Sequence, residues 1–74
     1  MRALIDSPES IGHFVRRIRE TNGMSQRELA AALGTSQRYI TELENGLPKR
    51  IDQRYIDLLR RLGITITLET KDHG

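Results

Sequence analysis

Apolar residues recur along most of this chain at the three- and four-residue spacing of helices, and only its last stretch departs from that period. Ile11, Phe14, Val15 and Ile18 share one face of a helix expected over residues 8–21. Ser7-Pro8 supplies its start, a capping hydroxyl followed by proline at the first helical position, and Asn22-Gly23 its stop. Leu29, Ala30 and Leu33 define a second helix over 26–33, and Ile40 and Leu43 a third over 37–45. Met24 is expected to pack as a staple against the second helix. Tyr55, Leu58, Leu59 and Leu62 line a fourth helix over 53–62, with Asp52 as its cap and Gly63 as its end. Ile51 is expected to pack just ahead of it, and residues 1–6 to form a loose arm.

The second and third helices are joined too tightly for anything but a sharp bend. Ser25 begins S-x-x-E with Glu28, a capping box. Gly34 ends the first of the pair, because a residue without Cβ enters the left-handed conformation at little cost. Two residues later Ser36 caps the second, which Gly46 ends. Ala30 is small where the two helices must approach closely. A small residue, a glycine at the bend and two apolar positions beyond it are the pattern of a helix-turn-helix, the arrangement that lays its second helix in the major groove of DNA. Leu47-Pro48-Lys49-Arg50 follows as a loop.

After Gly63 the period changes. Ile64-Thr65-Ile66-Thr67-Leu68 alternates strictly and is mostly β-branched, which predicts a strand. A lone strand leaves N–H and C=O groups unpaired and needs a partner. The arm around Leu4-Ile5 is one candidate; the same strand of a second copy is the better one. An antiparallel pair across a two-fold axis would satisfy both backbones and bury Ile64, Ile66 and Leu68. A two-fold dimer reads a palindrome whose half-sites lie about one helical turn apart.

Composition narrows the classes further. A chain of 74 residues makes one small domain with a modest core, so dimerisation or another staple is expected. Lys and Arg number 12 against 10 Asp and Glu, and a net charge of +2 neither demands nor excludes nucleic acid. The distribution says more: Arg16, Arg17 and Arg19 cluster on the first helix, and Lys49 and Arg50 follow the third, flanking the motif where phosphates would lie. With no cysteine there is neither a disulfide framework nor a thiolate metal site. His13 and His73 read as solvated side chains, and no H-x-x-x-H pair or phosphate-cradling glycine loop occurs. No enzyme activity, cofactor or metal is expected, nor a membrane span or signal peptide.

Helix-turn-helix geometry assigns roles to individual residues. The start of the third helix faces base edges, which makes Ser36, Gln37, Arg38 and Thr41 the candidate base contacts. Gln37 matches adenine N6 and N7; Arg38 could reach guanine O6 and N7 or a phosphate; Thr41 offers a hydroxyl to a base or a methyl to thymine. Gln26 opens the second helix, where free N–H groups suit a phosphate. Ser25, Arg27, Asn45, Lys49 and Arg50 are further phosphate candidates, and Tyr39 either joins them or shields an edge of the core. Glu42 near the DNA side would reject a base or accept from cytosine N4. Glu44, near a helix C-terminus, needs a cation, and Arg19 is the best candidate for a structural ion pair.

The run Gln26-x-x-Leu29-Ala30-x-x-x-Gly34-x-Ser36-x-x-x-Ile40-x-x-Leu43-Glu44-Asn45-Gly46 resembles the Xre/Cro class of bacterial helix-turn-helix domains. With Asp6-Ser7-Pro8 ahead of it and LLRRLGITITLE behind, the chain looks like the HipB-type antitoxins over about residues 6–69. That resemblance implies a mainly α, four- to five-helix, lambda-repressor-like domain with one C-terminal β-strand pairing across a homodimer. It divides the chain into an arm (1–6), a helix-turn-helix domain (7–62), a dimerisation strand (63–69) and a tail (70–74). It also implies a Gln26 backbone contact, an Arg19–Glu44 pair, and a bacterial, cytoplasmic, nucleoid-associated repressor. Its partners would be palindromic DNA and a HipA-type serine/threonine kinase toxin, which it neutralises. A phage-type or stand-alone Xre repressor without a toxin fits the motif equally well.

Overall fold

The computed structural model describes residues 1–47 and 51–70. Four helices occur among them: α1 Pro8–Thr21, α2 Gln26–Leu33, α3 Gln37–Glu44 and α4 Gln53–Arg61. Their starts coincide with the capping residues. Ser7, Ser25, Ser36 and Asp52 are extended and each accepts a backbone N–H of the first turn. Two helices end one residue earlier than expected, because Asn45 and Leu62 serve as their C-caps.

α3 is the central element and packs against both α1 and α2. Val15, Leu29, Ala30, Leu33, Ile40, Leu43, Tyr55, Leu58 and Leu59 form one buried core, so all four helices contribute. Each large member stabilises the fold by about 1.5–3 kcal/mol relative to an exposed position. On α1 Val15 and Gly12 are buried, while Ile11, Phe14 and Ile18 are partly covered. Met24 and Ile64 pack against the core from its margins.

Gly12 is a position whose importance the sequence did not reveal. A Cβ there would stand 2.5 Å from the Leu43 carbonyl oxygen and 2.6 Å from that of Glu44. Glycine therefore lets α1 ride directly on the last turn of α3.

One expectation is corrected, and one finds no counterpart among the described residues. Ile51 packs less than expected: it is 65% exposed and only rims a shallow hollow that it shares with Ile5, Ile11 and Tyr55. Residues 64–70 carry no strand among the described residues, and Ile66 and Leu68 are exposed. A strand is defined by its ladder, and a single chain supplies no second copy of this segment.

Candidate nucleic-acid interface

The motif is assembled from local hydrogen bonds. Ser25 Oγ accepts the Glu28 N–H at 3.0 Å, and Glu28 Oε1 accepts the Ser25 N–H at 2.8 Å. The Ser25 backbone N–H foremost, and the Ser25 hydroxyl after it, hold the Glu28 carboxyl below its ordinary range. Gly34 adopts the left-handed conformation at φ +68°, and the Thr35 N–H returns to the Ala30 carbonyl at 2.9 Å. Ser36 Oγ then accepts the Tyr39 N–H at 3.1 Å and starts α3. From α4, Arg61 Nη1 donates to the Leu33 carbonyl at 2.6 Å and so satisfies the end of α2.

Behind this turn lies a polar network joining α1, α2 and α3. Arg19 Nε and Nη2 donate to Glu44 Oε2 and Oε1 at 2.6 and 3.1 Å, a side-on bidentate pair. Arg19 Nη1 donates to the Met24 carbonyl at 2.8 Å. Gln26 Nε2 donates to Glu44 Oε1 at 3.0 Å, and Thr41 Oγ1 lies 2.8 Å from Gln26 Oε1. Burial pushes the Glu44 carboxyl up, but the bonds from Arg19 and Gln26 and the nearby arginine charges outweigh it, so it rests below the usual range. The hydrogen bond to Glu44 likewise raises Arg19. The network ties the last two turns of α3 to the end of α1 and the start of α2.

The outer side of α3 is open. Ser36, Gln37 and Arg38 are exposed, and Thr41 is partly so. The Ser36 oxygen is used as a cap, which leaves its O–H free to donate. Arg38 Nε pairs with Glu42 Oε1 at 3.1 Å, one turn on. At 88% and 39% side-chain exposure this pair holds Arg38 by only about 0.3–0.5 kcal/mol, so the guanidinium can swing to another acceptor.

Ser25, Arg27 and Asn45 are exposed and Gln26 is half-buried. Tyr39 packs partly on the core. The Arg54 guanidinium stands 4.3 Å from its ring centroid and donates to Thr35 Oγ1 at 3.2 Å. Burial raises the Tyr39 phenol. Lys49, Arg50 and His73 lie outside the described residues; His13 is exposed on α1. Sequence reasoning missed Arg54 and Arg61, whose roles depend on where α4 lands, and missed that Gln26 bridges Glu44 to Thr41. Among the described residues no group of His, Cys, Asp or Glu could hold a metal ion, and no helix is long and apolar enough to cross a membrane.

A capped, outward-facing helix held by a three-residue turn on a four-helix body defines a helix-turn-helix protein. The comparisons agree: the helix-turn-helix family model matches residues 15–68. The chain belongs to that family, in its Xre type, and is a DNA-binding transcriptional regulator. It is 34% identical over 68 residues to y4mF of Sinorhizobium fredii, an uncharacterized HTH-type transcriptional regulator, covering 92% of this chain and 90% of the relative. Among solved structures, it is similar to the HipA-HipB-O2-O3 complex, with a TM-score of 0.75 at 27% identity over 96% of this chain and 100% of the other. It is also similar to the HipB-O4 20mer complex, with a TM-score of 0.73 at 28% identity over the same shares.

Proposed function

We propose that this chain is a dimeric, operator-binding repressor that also serves as the antitoxin of a HipA-like serine/threonine kinase. The observation that carries the antitoxin reading is the fold's similarity to HipB in a complex with HipA, over 96% of the chain. In this reading Ser36, Gln37, Arg38 and Thr41 contact bases. Ser25, Gln26, Arg27, Tyr39 and Asn45, together with Lys49 and Arg50, meet phosphates. The exposed placement of Ser36, Gln37 and Arg38 on one end of α3 supports the first set. The second amide proton of Gln26, the first being given to Glu44, supports its role in the other.

Dimerisation through Ile64, Thr65, Ile66, Thr67 and Leu68 is supported by the exposure of Ile66 (52%) and Leu68 (94%) on an alternating segment. An antiparallel ribbon across a two-fold axis would give both segments a ladder and cover these side chains. Analytical ultracentrifugation should find a dimer at micromolar concentration that Ile66→Asp dissociates. A wild-type monomer would remove the ribbon from the account.

Co-expression with a HipA-like kinase tests the antitoxin reading. A stable complex and relief of kinase toxicity are expected, both surviving Gln37→Ala. Operator binding with no kinase complex would return the chain to the stand-alone repressor class.

A further inference from the structure

The network behind α3 constrains what Thr41 can offer to a base. Thr41 Oγ1 lies 2.8 Å from Gln26 Oε1 and 3.1 Å from the Gln37 carbonyl oxygen. Both are acceptors, and a hydroxyl owns a single proton.

The orientation of the Gln26 amide follows from Glu44. A carboxylate only accepts, so the group 3.0 Å from Glu44 Oε1 must be Nε2, and the amide oxygen is thereby turned to Thr41. Glu44 is kept ionised by the two bonds from Arg19. Donation thus converges on Glu44: Arg19 gives to it from α1, while Thr41 on α3 gives to Gln26, which gives to it in turn. A rotation that aimed the Thr41 proton outward would strand the half-buried Gln26 oxygen and give up the bond to the Gln37 carbonyl.

We infer that Thr41 meets DNA as an acceptor: its Oγ1 receives an N–H from an exocyclic base amino group, adenine N6 or cytosine N4, and does not donate to guanine O6 or thymine O4. This rests on the proposal that the start of α3 reads bases. It assigns Thr41 a chemical preference that its side chain alone, able to donate or accept, does not carry. Arg19, Glu44 and Gln26 act as positioning residues for that preference without touching the base.

Selection from a random duplex pool with the full-length protein identifies the preferred site. Binding of wild type and Thr41→Val to that site is then compared with duplexes in which single bases lack either the amino group or the carbonyl oxygen. Because such bases also weaken pairing, the readout is the coupling between protein and base changes. At one base, loss of the amino group should weaken wild type about tenfold and Thr41→Val hardly at all. Thr41→Ser should restore the wild-type response. Coupling to a carbonyl oxygen, or to neither group, would overturn the inference while leaving base reading by α3 in place. A pool that yields no enriched sequence would overturn both.

Discussion

Glu44→Gln tests whether the buried pair organises the fold. The Glu44 carboxylate accepts two bonds from Arg19 and one from Gln26, and all three donors point at its two oxygens. An amide in its place presents N–H groups to one of those donors and takes from the Arg19 guanidinium the carboxylate bonded to it. Side-chain exposure is 11% for Arg19 and 3% for Glu44, so water cannot take over. Breaking such a pair costs about 3–5 kcal/mol. For a domain of this size each kcal/mol lowers Tm by about 4–8 °C. Urea titration should therefore show a loss of at least 3 kcal/mol, with the midpoint displaced and the slope little changed. Glu42→Gln is the internal control: its pair with Arg38 is exposed, and its loss should cost no more than about 0.5 kcal/mol. Equal effects of the two substitutions would refute the idea that burial gives the Arg19–Glu44 pair its weight.

Acid unfolding should carry the same signature. The Glu44 carboxyl is depressed in the folded protein, so its contribution is full above the ordinary glutamate value of about 4.3 and is lost as pH falls through the lower folded value. Stability measured against pH should fall in that window, and Glu44→Gln should flatten the fall. Gly12→Ala should destabilise by about 1–3 kcal/mol in thermal unfolding, since its Cβ would meet the backbone oxygens of Leu43 and Glu44, which cannot rotate aside. An unchanged Tm would mean that α1 and α3 separate freely.

What the chain discloses to a reader is local. The caps at Ser7, Ser25, Ser36 and Asp52 and the left-handed turn at Gly34 are decided within four residues, and each is where the pattern puts it. The Arg19–Glu44 contact spans 25 positions yet was legible, because a carboxylate at a helix C-terminus demands a cation. Gly12 was not legible, since glycine inside a helix signals nothing until the neighbouring helix is placed. Arg61 on the Leu33 carbonyl and Arg54 over Tyr39 depend likewise on the docking of α4. Gln26 could be read as a free helix-start amide, while its bridge to Thr41 arises only when α2 and α3 meet. The alternation at 64–68 is plain in sequence, but a ribbon between two chains lies beyond what one chain can display.

The most direct test of a helix that reads bases is Gln37→Ala on the selected operator at fixed salt. Gln37 is exposed at the start of α3, so its truncation should leave stability unchanged and weaken operator binding by about 1–3 kcal/mol, with little change on random duplex. Unchanged operator affinity would contradict the placement of this end of α3 against the bases.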